Sequence, residues 1–227
     1  MGLIKKMQRS LKRDGVLGMV RLCFRNLTFR KRSGGPPCQF DIEYGIETDR
    51  FVELSDLEID SPNESLGVAY QPTPTWVFDK IMAVLPAPES YHFIDLGSGK
   101  GRVVLMAARQ PFKSVTGVEF SPELCAVAET NLARFKPHVQ ASEVRIVCKD
   151  ASLFEFPPGP LIVYCYFAFA REVLVKVLAN LARRQDETIF VYYNAHFHEL
   201  FADSELLHQD DLICMWKLGK SAASARK

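Results

Sequence analysis

Between residues 93 and 193, short apolar runs alternate with longer stretches whose apolar positions recur every three to four residues. Phe93-Ile94-Asp95-Leu96 reads as a buried strand, and the unbroken apolar run Val103 to Ala108 marks a helix from about Arg102 to Arg109. Val115-Thr116-Gly117-Val118-Glu119 reads as a second strand ending in an acid. Ser121-Pro122-Glu123 then offers an N-cap, a proline at the first helical position and an acid suited to the helix dipole. Leu124, Val127, Ala128, Leu132 and Phe135 line one face of that helix. Val144–Val147 predicts a third strand and Leu161–Tyr166 a fourth, apolar along its length as at the centre of a parallel sheet. Leu174, Val177, Leu178 and Leu181 mark a further helix, Thr188–Tyr193 a fifth strand. Leu206–His208 and Leu212–Leu218, turning at Asp210-Asp211, predict an antiparallel pair that closes the sheet. The alternation predicts an α/β fold, a mostly parallel sheet flanked by helices with an antiparallel C-terminal strand pair.

Upstream, Thr73 and Pro74 in Tyr70-Gln71-Pro72-Thr73-Pro74 have the chemistry of an N-cap and a first helical residue. The helix they predict has an apolar face of Val77, Ile81, Val84 and Leu85 and ends at Pro86 to Pro88. Ahead of it the net charge of +1 conceals two blocks of opposite sign. Residues 1–32 carry ten Lys and Arg against Asp14, with apolar residues spaced as in amphipathic helices. Such an arm suits peripheral contact with an anionic membrane or an acidic partner, resembles an organellar presequence, and is equally read as a solvated arm. After Ser33-Gly34-Gly35-Pro36-Pro37 come nine acids between Asp41 and Glu64, opposed only by Arg50, which are suited to pair with the basic arm. The expected organisation is a basic then acidic extension over 1–65, one domain over 66–219, and a disordered tail over 220–227.

The chain has 227 residues, 48% of them apolar and 24% charged, an ordinary globular composition. Six cysteines, at 23, 38, 125, 148, 165 and 214, form no C-x-x-C pair, which points to reduced thiols in a cytoplasmic compartment. The longest apolar run, Leu161 to Ala170, is too short to span a bilayer.

The candidate chemistry starts at Asp95-Leu96-Gly97-Ser98-Gly99-Lys100-Gly101-Arg102. Glycines at alternate positions permit backbone angles closed to other residues and let a ligand approach the main chain. The helix start that follows favours a negatively charged group. The dinucleotide fingerprint G-x-G-x-x-G needs a third glycine where Arg102 stands, which argues against a nicotinamide cofactor. Three acids, Asp95, Glu119 and Asp150, fall at successive strand ends, where α/β sheets bind ligands. Glu119 stands 24 residues after Asp95, a spacing suited to an acid that accepts from ribose hydroxyls.

Residues 93–102, Val118 to Leu124 and Asp150-Ala151 resemble the successive cofactor motifs of class I, Rossmann-like S-adenosylmethionine-dependent methyltransferases. With Tyr70-Gln-Pro-Thr-Pro upstream, they most resemble a branch of bacterial methyltransferases of unassigned substrate and, more distantly, non-SET protein lysine methyltransferases. The resemblance spans about residues 66–219 and implies S-adenosylmethionine as cofactor. It implies that Gly97, Ser98, Gly99 and Gly101 surround the methionine moiety, with Asp95 beside the loop or the ammonium. Glu119 and Phe120 would hold the ribose and Asp150 and Ala151 the adenine, with Tyr70 and Thr73 closing over them. Lys100 and Arg102 read as surface charges beside the loop.

On the acceptor side this chain departs from the family. Amino-group methyltransferases commonly end the fourth strand with Asn/Asp-Pro-Pro-Tyr/Phe, whereas here Tyr166-Phe167-Ala168-Phe169 stands there. This argues against nucleic-acid adenine methylation and leaves an unidentified protein or small-molecule acceptor, a protein lysine amine among them. Tyr166, Phe167 and Asn194 are the candidate catalytic residues, with Tyr192, Tyr193 and His196 nearby. His196 and His198 would point to opposite faces of a strand and have no cysteine or third histidine at ligand spacing, so no metal is expected. The alternative is a non-catalytic binding or scaffold protein that keeps the fold.

Overall fold

The computed structural model describes residues 38–57 and 66–219. The basic arm and the C-terminal tail lie outside the described residues. Strands β1 (His92–Leu96), β2 (Ser114–Glu119), β3 (Val144–Cys148), β4 (Leu161–Tyr166), β5 (Thr188–Tyr193), β6 (Glu205–Gln209) and β7 (Ile213–Lys217) form one sheet in the order β3-β2-β1-β4-β5-β7-β6. The first five are parallel; β7 runs antiparallel to both β5 and β6. Helix α1 is Gln39–Tyr44, α2 Thr75–Met82, α3 Arg102–Ala108, α4 Pro122–Phe135 and α5 Arg171–Leu181.

Period-two alternation assigns the core. Ile94, Leu96, Val163 and Cys165 face one side of the sheet, where Val173, Leu174, Val177 and Leu181 of α5 cover them. Phe93 meets Phe112, Phe78 and Tyr164 at ring-centroid distances of 5.2, 6.1 and 6.4 Å. The hairpin at the C-terminal edge is sealed by Phe201 stacked on Trp216, centroids 4.2 Å apart and 11° from parallel.

Strand order reverses between β1 and β4: the chain steps outward through β2 and β3, then returns to add β4 and β5 on the other side. The carboxyl ends of the strands at such a switch point diverge and leave a crevice.

One expectation changes here. Helix α2 begins at Thr75 with Pro74 as its N-cap residue, and the side chain of Thr73 makes no cap. Its hydroxyl instead lies 2.7 Å from that of Tyr164, a buried partner on β4. The described residues from Gln39 onward form one compact unit with the sheet. Among the described residues, no helix is long and apolar enough to cross a membrane.

Candidate functional site

Gly97, Gly99 and Gly101 adopt φ values of +75°, +54° and +84°, the left-handed region that side chains resist. The loop they build turns back onto β2: Gly97 N–H and Ser98 N–H both donate to the Val118 carbonyl, at 2.8 and 3.1 Å. Glu119 then fastens it. Its carboxylate accepts from Gly99 N–H and from Ser121 N–H, each at 2.9 Å, joining the loop to the start of α4. Burial raises the pKa of Glu119, while the backbone donors oppose that shift. These backbone bonds, with a further one from Phe120, leave part of its lone-pair capacity free for a ligand.

Asp95 behaves differently. Its side chain is 3% exposed and borders the cleft, and it makes no hydrogen bond to another described residue. Burial, and secondarily the Glu119 charge, pushes its pKa well above the usual carboxylate range. A buried carboxylate without a partner is costly unless a ligand supplies one. Asp150 caps the short turn Ala151–Leu153, accepting from Ser152 N–H at 2.8 Å and Oγ at 2.7 Å.

These groups converge on a cleft lined by both apolar and polar side chains, the chemistry typical of small-molecule sites. Tyr70, Thr73, Asp95, Gly97, Ser98, Glu119, Phe120, Asp150, Ala151 and Tyr166, all singled out by sequence, border it. Gly99 and Gly101 do not border it; Gly99 instead makes room for Tyr70, whose ring carbons lie 2.0 and 2.2 Å from where a Cβ at 99 would stand. Segment 67–70 crosses the cleft mouth, with Val68 N–H bonded to the Ala168 carbonyl and Tyr70 paired to Val52.

The reading of Lys100 and Arg102 as surface charges is corrected: each is 5% exposed. Lys100 Nζ lies 2.5 Å from Glu47. Arg102 bonds Thr48 Oγ1 through Nε at 2.7 Å and Asp49 through a terminal nitrogen at 2.9 Å, with Asp41 at 3.5 Å. The acids of this segment thus answer the cations of the glycine loop. Sequence reasoning missed this because the partners stand more than 50 positions apart; the signal was the charge imbalance itself.

At the acceptor end the candidates separate. Tyr166 borders the cleft, Phe167 does not, and Asn194 lines a different hollow with His198 and Asp210. Phe167 and Asn194 are the two non-glycine residues with positive φ among the described residues, at +36° and +56°. They follow the adjacent strand ends Tyr166 and Tyr193, whose rings lie 4.2 Å apart. Strain of this kind persists only where surrounding contacts enforce it. Here Phe167 is held against His196 at 4.1 Å. His196 lies in the loop after β5 and His198 opens a 3₁₀ turn, so the strand geometry assumed for the pair does not apply.

Residues 93–186 match the family profile of the methyltransferase domain. That segment is a methyltransferase domain on a Rossmann-like α/β fold. Solved structures with this fold include a dimethyladenosine transferase of Plasmodium falciparum (9% identity, TM-score 0.50, 66% of this chain and 64% of that one). Others are the YcgJ protein of Bacillus subtilis (20%, TM-score 0.44, 54% and 52%) and an RNA methyltransferase of Salinibacter ruber (21%, TM-score 0.46, 66% and 95%). The chain thus spans about half the length of the YcgJ protein, 64% of the Plasmodium enzyme and 95% of the Salinibacter one. No curated protein sequence matches it significantly. S-adenosylmethionine is the donor such domains use, and the cleft fits it: a buried carboxylate with no hydrogen bond to another described residue, suited to an ammonium, and further acids for hydroxyl and amino donors.

Proposed function

We propose that this domain transfers a methyl group from S-adenosylmethionine to a protein lysine amine. Asp95 would take the donor's ammonium, Glu119 its ribose hydroxyls and Asp150 its adenine amino group, with Phe120 and Ala151 supplying apolar contact. Bound S-adenosylmethionine supplies a methyl group already activated by the sulfonium. The protein's task is therefore alignment and exclusion of water.

The observation that carries the lysine reading is the aromatic rim at the ends of β4 and β5, where Tyr166 meets Tyr193 and Phe167 meets His196. Ring faces attract an alkylammonium, and apolar walls favour its neutral, nucleophilic form. The Tyr166 hydroxyl is not an anionic base at neutral pH, because burial and the adjacent Tyr193 raise its pKa. The amine must therefore lose its proton to solvent as it enters. This supports an acceptor carried on a flexible side chain.

The test is incubation of the full chain with methyl-labelled S-adenosylmethionine and a lysine-rich polypeptide, beside the same polypeptide with its lysines acetylated. Label only on the unmodified form, recovered as methyl-lysine after hydrolysis, is the expected result. Equal labelling of both would move the acceptor to another nucleophile. S-adenosylhomocysteine binding with no label on either would remove lysine and leave the donor assignment standing.

A further inference from the structure

Arg102 stands where a dinucleotide fingerprint would carry glycine, and it is held by a set of bonds that the glycine loop's own geometry does not require. Thr48, fully buried, lies at the centre of that set. Its Oγ1 donates to Asp41 at 2.6 Å and accepts from Arg102 Nε at 2.7 Å. Asp41 also accepts from the backbone N–H groups of Thr48 and Asp49, at 2.6 and 2.9 Å. The Thr48 carbonyl, in turn, accepts from the hydroxyl of Tyr70 at 2.7 Å. Tyr70 borders the cleft and lies directly on Gly99, and the Lys100 ammonium stands 5.8 Å from its ring centroid. On the other side, Asn131 of α4 bonds both the Glu47 backbone and the Lys100 carbonyl.

We infer that Arg102 is a positioning residue of the cofactor site: through Asp41 and Thr48 it fixes Tyr70 over Gly99, so that residues 41–49 act as a bracket for the wall of the cleft beside the glycine loop. The inference rests on the donor assignment above. A buried ion pair fixes geometry more than it adds stability, because the Coulombic gain is offset by desolvation of both charges. Arg102 reaches three residues of the nine-residue segment 41–49 with a planar, directional donor set, which Lys cannot reproduce. Tyr70 is the only member of the set that borders the cleft besides Arg102 itself. The bracket therefore acts on the ligand chiefly through that ring.

The test is calorimetric titration of the full chain with S-adenosylhomocysteine and, separately, with adenosine, which lacks the amino-acid arm expected beside Gly99. Arg102→Met is expected to weaken S-adenosylhomocysteine about tenfold, some 1.4 kcal/mol, and to leave adenosine within twofold. Arg102→Lys is expected not to rescue it. Tyr70→Phe, which removes only the hydroxyl bond to Thr48 and keeps the ring, is expected to weaken the same ligand several-fold with adenosine unchanged. It serves as the test if Arg102→Met does not fold. Equal losses for both ligands would mean a merely structural role and overturn the inference, as would wild-type affinity in folded Arg102→Met or in Tyr70→Phe. A wild-type chain that binds no S-adenosylhomocysteine would instead overturn the donor assignment on which the inference rests.

Discussion

The contact between Gly99 and Tyr70 allows a prediction whose size follows from the coordinates. A methyl group added at 99 would stand 2.0 and 2.2 Å from two ring carbons of Tyr70, where ordinary contact begins near 3.5 Å. The ring must retreat by more than about 1 Å, and it is buried, with its hydroxyl committed to the Thr48 carbonyl. Losing that bond costs about 1 kcal/mol, and a left-handed alanine at φ +54° costs roughly another 1–2. Disturbed packing adds to this, so Gly99→Ala is expected to lower unfolding stability by about 2–4 kcal/mol. Tyr70→Ala opens the space, and in that background Gly99→Ala should cost only the backbone component, roughly 1–2 kcal/mol. A double-mutant cycle read by urea denaturation should therefore give a coupling of about 1–2 kcal/mol. Coupling below about 0.5 kcal/mol, with each substitution costing the same in either background, would refute the claim that this glycine exists to seat the tyrosine.

Asp95 carries a pH dependence of definite sign. Burial raises its carboxyl pKa in the folded chain, so between the unfolded and folded values the folded state holds the extra proton and stability falls as pH rises. Asp95→Asn should accordingly raise the melting temperature of the ligand-free protein at neutral pH; no rise would refute that. With S-adenosylhomocysteine, an ammonium beside Asp95 should lower its pKa again, so affinity should increase with pH through the free-protein value and Asp95→Asn should abolish that slope in titrations across pH. Glu187 has the opposite sign: Lys217, then Tyr91, hold its pKa down, so its contribution is present above the usual glutamate value and lost as pH falls through the folded one. Glu187→Gln should flatten the acid limb of a melting-temperature profile. Phe201→Ala removes the ring stacked on Trp216 and should cost about 3–5 kcal/mol in urea unfolding. A loss under about 1 kcal/mol would mean the hairpin edge repacks freely.

What could be read in the sequence depended on how local its cause was. Ser121 does cap α4, its hydroxyl accepting from Leu124 N–H at 3.3 Å with Pro122 first in the helix, because a cap needs only three neighbouring residues. Thr73 offers the same local chemistry, yet its hydroxyl is taken by Tyr164, 91 positions away, and the cap is lost. The antiparallel pair was legible as a hairpin; its order was legible only through composition. Ile213–Lys217 is apolar enough to lie buried against β5, while Glu205–Gln209 is polar enough to form the edge. The three strand-end acids were legible as a set, and all three border the cleft. Their division of labour was not, because only the fold reveals that Glu119 holds the loop while Asp95 has no bonded partner among the described residues.

The missing third glycine has a structural answer of its own. In the dinucleotide fingerprint that glycine lets the helix lie close on the strands. Here the close approach is supplied from the other side, by Gly117 in the middle of β2. A Cβ there would come within 2.7 Å of Val104 on α3 and of Ser98 Oγ in the loop. Glycine inside a strand otherwise weakens it, so its presence marks a backbone that must be approached. Gly101 meets the same need towards α4, where a Cβ would be 3.3 Å from that of Ala128. With strand and loop providing the room, the first residue of α3 no longer has to be small. That position can carry Arg102, whose long side chain reaches the segment that supports Tyr70. The departure from the fingerprint and the inclusion of residues 41–49 in the cofactor end of the sheet are thus consequences of one exchange in where the glycine sits.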